Sequence, residues 1–109
     1  MNKWTAQLED LYEHRDSEEV AHYLLSYPRL INFLHESYDH LLKLFGASAR
    51  FALEVVQDPE AQYKQLIVYI NTSLPVEAAL SRMDRLDREW FLDHVKSIGH
   101  LINFNLEIA

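Results

Sequence analysis

The chain contains no cysteine. That excludes a disulfide framework and any thiolate metal site, so a domain of this size must be held by packing alone, as suits a reducing compartment. Glycine and proline are also scarce, with two and three residues, which excludes a Gly-rich linker and leaves each one legible as punctuation. No apolar run approaches the length that spans a bilayer. The first ten residues, Met1 to Asp10, carry neither the apolar stretch nor the small-residue cleavage site of a secretory signal. Positive charge is in deficit, with ten Lys and Arg against seventeen Asp and Glu, and the formal net charge of −7 repels a polyanion at long range. The expectation is a soluble cytoplasmic protein with no membrane segment and no nucleic-acid partner.

What is present suits one globular unit. Hydrophobic residues make up 49% and charged residues 25% of 109 positions, enough for one core but not two, and no internal repeat divides the chain, so residues 1–109 read as a single domain. Trp4, Leu8, Leu11 and Tyr12 recur at three and four residues, which predicts a short helix from Trp4 to His14. Asp16 with Glu19 three residues on is a variant capping box for a second helix, whose apolar stripe is Val20, Tyr23, Leu24 and Tyr27. Pro28 fits the first turn of a third helix carrying Ile31, Leu34, Tyr38, Leu41, Leu42 and Phe45, which Gly46 closes in a left-handed conformation.

After Gly46 the period changes from helical to alternating. Phe51, Leu53 and Val55 share one face of a strand, Gln57-Asp58-Pro59-Glu60 is turn chemistry, and Gln65 to Thr72 alternates again, which predicts an antiparallel hairpin. Pro75 opens a further helix with Val76, Ala79, Leu80, Met83, Leu86 and Trp90 at helical spacing, and Ser73 is the expected cap. Gly99 releases the chain into a last strand from Leu101 to Ile108, with Ile102, Phe104, Leu106 and Ile108 on one face. The predicted class is α+β: N-terminal helices followed by a β-β-α-β unit, with a three-stranded, mainly antiparallel sheet and helices packed on one face. Strand order third, first, second is preferred because it centres the strand with the most evenly apolar face. The alternative lays the last strand parallel to the second.

The block Leu53-Glu54-Val55-Val56-Gln57-Asp58-Pro59-Glu60, with the strand Leu66 to Thr72 and the helix segment Asp84-Arg85-Leu86-Asp87-Arg88-Glu89-Trp90, resembles a group of small uncharacterised bacterial cytoplasmic proteins. Members share a strand ending in Asp-Pro-Glu, a second strand, a helix carrying Asp-x-x-Asp-x-x-Trp and a final apolar strand. They carry a Ser and a Glu as a capping box where this chain has Pro75 and Ala78. The resemblance covers about the second half of the chain. It implies a bacterial cytoplasmic protein encoded beside a toxin-like gene, with no assigned activity and no functional residues.

Catalytic chemistry finds little support. His35 and His40 are five residues apart, about 140° round a helix, so they do not share a ligand face. His35 with Asp39, and Glu36 with His40, sit one turn apart and read as surface ion pairs; two ligands fall short of a catalytic zinc site, and no His-Glu-x-x-His occurs. His94 and His100 flank the loop before the last strand. Asp84, Asp87, Glu89 and Asp93 form an acidic run, but Arg82, Arg85 and Arg88 interleave with it, which predicts a neutralised, solvated helix face. No Gly-rich phosphate loop is present, and no cofactor is expected.

The second face of the sheet offers a partner surface. Ala52, Val56, Ile67, Tyr69 and Leu101 fall on it among Glu54, Asn71, Asn103, Asn105 and Glu107, an apolar centre with a polar rim. Either a partner covers this face or the helix from Trp4 to His14 folds back over it. An exposed edge strand would add a second route to assembly by backbone pairing. The leading expectation is a non-catalytic, adaptor or antitoxin-like protein that binds another protein or a second copy of itself, with Val56, Ile67, Tyr69, Leu101 and Asn103 as the interface. The alternative is a small metal-dependent or hydrolytic enzyme using His35, Asp39, His94 or His100.

Overall fold

The computed structural model describes residues 8–57, 59–60 and 63–108. Trp4, Asp58 and the side chain of Ile108 lie outside what it describes. Residues 8–11 are helical, but the chain bends at Tyr12 and Glu13–Arg15 becomes a short strand, β1, instead of continuing the helix expected to reach His14. The reason is tertiary. β1 pairs in parallel with the edge of the next strand, and Tyr12, nearly fully buried, donates its hydroxyl to Leu34 O at 2.8 Å, so backbone pairing and burial override a weak local helical preference.

Asp16 turns the chain sharply. Its φ of 58° is a left-handed conformation that Asp tolerates, and its carboxylate accepts from Glu19 N–H at 3.3 Å to start α1, Ser17–Ser26. Only this half of the expected capping box forms, because the Glu19 carboxylate pairs with Lys64 Nζ at 3.3 Å. α1 buries Val20, Tyr23 and Leu24, while Tyr27 stays exposed. Pro28 then precedes α2, Arg29–Phe45, which ends where the Gly46 N–H donates to Leu42 O at a φ of 85°. The carbonyl of Leu44, left over at the end of this helix, accepts from the guanidinium of Arg82.

The hairpin forms as expected. β2, Arg50–Gln57, pairs antiparallel with β3, Lys64–Thr72, in a register that sets Phe51 opposite Ile70, Leu53 opposite Val68 and Val55 opposite Leu66. α3, Val76–Leu86, follows Pro75, and no side chain caps it; the Thr72 hydroxyl accepts from Leu74 N–H at 3.1 Å, so Ser73 is not the cap. A π-helical turn over Asp87–Phe91, in which Leu92 N–H reaches back to Asp87 O, carries the rod into α4, Leu92–Ile98. Gly99, with a φ of 62°, opens a tight 3-10 turn through Leu101, and β4, Ile102–Ile108, completes the sheet.

The sheet has four strands in the order β1-β2-β3-β4, with β4 parallel to β3. The preferred three-stranded, antiparallel order is therefore replaced by the alternative arrangement plus an added edge strand. A helix between two strands is the usual parallel crossover, and β1 occupies the side of β2 that the last strand had been expected to take. Helices pack on one face, over Leu53, Leu66, Val68, Ile102 and Phe104, and the fold is a mixed α+β one.

His14 belongs to that buried face, opposite Leu53. Its side chain is 3% exposed, neither ring nitrogen has a hydrogen-bond partner, and the nearest carboxylate, Glu9, is 3.9 Å away. Burial lowers its pKa below the usual imidazole value, with Glu9 opposing the shift. A lowered native pKa means that the unfolded chain takes up the proton first, so stability present above about pH 6.5 should decline as pH falls toward the native value. Urea unfolding at pH 7.5 and 5.5 should show this decline, and His14→Leu should flatten it; an unchanged slope would refute the assignment. Leu53→Ala, at the fully buried centre of the sheet, is expected to cost about 2–5 kcal/mol by the same measurement.

Candidate functional site

The sheet face turned away from the helices carries Arg15 from β1, Ala52, Glu54 and Val56 from β2, Ile67, Tyr69 and Asn71 from β3, and Asn103, Asn105 and Glu107 from β4, placed by strand alternation and register. Ala52 and Ile67 are buried on it, outside the hydrophobic core cluster that the helices cover. Val56 and Tyr69 are half-buried and Asn103 is exposed. Four of the five expected interface residues thus share this face. Leu101 does not: it is buried in the main core, in the 3-10 turn before β4, because the strand starts one residue later than its alternation suggested.

A polar network crosses this face. The Arg15 guanidinium reaches from the short edge strand toward the opposite edge and meets Glu107 in a two-pronged contact, with Nη1 to Oε2 at 2.9 Å and Nη2 to Oε1 at 2.7 Å. On its way it lies over the Tyr69 ring, 4.6 Å from the centroid. The Tyr69 hydroxyl donates to Glu54 Oε1 at 3.2 Å. Burial, then the bonded Glu54 carboxylate, raises the pKa of Tyr69, whereas the Arg15 hydrogen bond holds the Glu107 carboxyl below the ordinary carboxylate range. Arg15 and Glu107 are 92 positions apart in sequence, and no local pattern announces them as partners.

β4 ends the sheet on its outer side. Among the described residues no strand pairs beyond it, and its pairing with β3 runs without interruption from Ile102 to Ile108. Edge strands are commonly guarded by Pro, Lys, a bulge or short length; β4 has seven residues and none of the first three. The Asn103 side chain accepts from the neighbouring Phe104 N–H at 2.9 Å, occupying one backbone donor locally.

No family model, curated protein or solved structure matches this chain. The histidines are held in separate environments. His94 Nδ1 lies 3.0 Å from Trp90 O, and its Nε2 lies 3.8 Å from Glu36 on α2, so Glu36 faces His94 while His40 stacks on Trp90 at 4.8 Å. His100 instead packs on Tyr63, with ring centroids 4.2 Å apart, at the rim of a cleft of about 390 Å³ between α1 and the start of β4. The wall of that cleft is structural: Tyr23, its pKa pushed up to about 12 mainly by burial, donates to Leu101 O at 2.8 Å, and Gln65 holds His100 O at 2.8 Å. His35 and Asp39 sit on α2. Among the described residues no three His, Asp or Glu side chains converge as a metal site requires. No helix among them is long and apolar enough to cross a membrane.

The interleaved charges of α3 and the π turn pair along the rod, Arg88 with Asp84 at 2.8 Å and Arg85 with Glu89 at 3.3 Å. On the open face, Glu107→Gln should cost about 0.5–1 kcal/mol, since both partners are about one-third exposed and screened by solvent. A lowered carboxyl pKa contributes stability above about pH 4.3 that is lost as pH falls through the native value. The difference between wild type and variant in urea should therefore shrink in acid; a difference independent of pH would contradict the pairing.

Proposed function

We propose that the protein is a non-catalytic interaction module that takes a strand of another protein along the free edge of β4. The free edge of β4, which among the described residues pairs with no further strand and carries no Pro, Lys or bulge, supports this reading. Seven residues of continuous backbone alternate between side chains packed toward the helices and Asn103, Asn105 and Glu107 on the open face, so an added strand gains main-chain hydrogen bonds from the edge and side-chain selectivity from the polar row beside it. Val56, Tyr69 and Asn103 then belong to the adjoining surface, with Ile67 buried beneath it, and the half-buried Tyr69 is an amphipathic anchor.

The Arg15–Glu107 bridge and the acidic total charge favour a partner segment with donors or basic side chains over an acidic one. An adaptor or antitoxin-like role, with a bacterial cytoplasmic setting, is the biological form of this reading that the resemblance of the second half implies. The partner is another protein in this scheme.

The test uses affinity capture with wild type beside Leu106→Pro, which removes one backbone donor from β4 on the side chain alternation assigns to Phe104. Circular dichroism checks that the variant folds. A partner retained by wild type and lost by the variant, with new amide-exchange protection along 102–108 in the purified complex, is the expected outcome. Equal capture by a folded variant, or a complex that leaves those amides unprotected, would overturn the proposal.

A further inference from the structure

The rod formed by α3, the π turn and α4 presents a second apolar surface that the β4 reading does not use. Ala79, Leu86, Trp90 and Ile98 are its buried side. Val76 (54% exposed), Leu80 (57%), Leu92 (57%) and Val95 (38%) are large hydrophobic side chains left in solvent. Val76 and Leu80 are one turn apart on α3, and Leu92 and Val95 one turn apart on α4. An uninterrupted α-helix would let the second pair drift round the axis; the wider π turn at Asp87–Phe91 absorbs an extra residue and brings the two pairs toward one side. The exposure comes as two apolar pairs on one side of the rod, Leu80 and Leu92 being about 18 Å apart along it with the Asp84–Arg88 ion pair between them.

The charges beside this stripe choose its occupant. By helical spacing the charges on the flank of this stripe are Glu77, Asp84, Arg88 and Lys96, with Glu77 in the first turn of α3 and Lys96 in the last turn of α4; Arg85, Glu89 and Asp93 fall farther round the rod, where Arg85 pairs with Glu89. Laid antiparallel on a copy of itself about a two-fold axis level with Leu86, the rod sets Leu80 opposite Leu92, Asp84 opposite Arg88, and Glu77 beside Lys96. Along the stripe each apolar residue then meets an apolar one, and these four flanking charges meet their opposites. A parallel arrangement would set Asp84 against Asp84 and Arg88 against Arg88. The sequence of this stripe is self-complementary in one direction only, as an isologous contact requires. We infer that the chain dimerises by antiparallel packing of this helical rod on the same rod of a second copy.

The contact is modest. The rod from Val76 to Ile98 is about 34 Å long at ~1.5 Å per residue and about 10 Å wide, so it buries roughly 340 Å² per copy and ~700 Å² in total, short of the roughly 1,000 Å² that a stable interface clears. The dimer should accordingly dissociate on dilution. Existing ion pairs within the helix, Asp84 with Arg88 at 2.8 Å, become part of a four-charge cluster across the axis.

Sedimentation velocity on the full chain, over a range of concentrations reaching about 1 mM, reads the equilibrium directly. Wild type is expected to move from the 12.9 kDa monomer toward twice that mass. Leu80→Glu should weaken association at least tenfold, and so should Asp84→Arg alone, which sets like charges across the axis, and Arg88→Asp alone. Mixing the last two variants should restore a dimer, because only the mixed pair regains opposite charges at both positions. All three sites are exposed, so circular dichroism should find the variants folded. A monomer at every concentration overturns the inference. So do a dimer that Leu80→Glu leaves intact and charge variants that fail to complement on mixing.

Discussion

Everything in this molecule depends on β3 being paired on both sides. Leu66, Val68 and Ile70 are fully buried on it, facing the helices, while β2 and β4 satisfy its backbone from either edge. A central strand with one wholly apolar face demands cover, and α1, α2 and the α3–α4 rod supply it. Aromatic packing closes one side of that cover: Phe33 stacks on Trp90 with ring centroids 4.7 Å apart, and Phe91 meets Phe104 edge-on at 5.1 Å, which ties α2, the π turn and β4 together. Among the described residues no helix is packed on the other face, and the two outer strands are edges.

The two edges are treated differently. β1 is three residues long and contributes Arg15, whose side chain lies across the open face to Glu107 and leaves the surface polar at its centre. β4 is longer and regular, without Pro, Lys or bulge. That asymmetry, more than any side-chain cluster, is what the proposed strand addition rests on. The outer flank of the α3–α4 rod adds an apolar strip at a separate place, so a strand partner at β4 and a helical contact between copies rest on different observations.

Much of the local structure was legible because period and punctuation agree. The 3.6-residue stripe of α2 between Pro28 and Gly46, and the two-residue alternation of β2 and β3, each point to one conformation and one buried face, and both formed. The stripe of α3 was legible only as a helix. Its apolar residues divide into a buried side with Ala79, Leu86 and Trp90 and an exposed side with Val76 and Leu80, and spacing alone does not say which of two apolar sides meets the sheet. Leu101 was assigned to the open face because alternation was extended one residue into a turn. The three-residue β1 is too short to display a period, so its place in the sheet had no signal of its own.

The sequence by itself determined composition, the main helices and strands, the antiparallel hairpin and the residues available to a core, because these follow from interactions between near neighbours and from the periods of helix and strand. Tertiary structure alone decided the strand order, the fourth strand, the burial of His14, the Arg15–Glu107 bridge across 92 positions, and which apolar stripe stayed in solvent. Each of those depends on which distant segments compete for the same edge or face. That competition is settled by the whole packed arrangement, and no window of the sequence contains it.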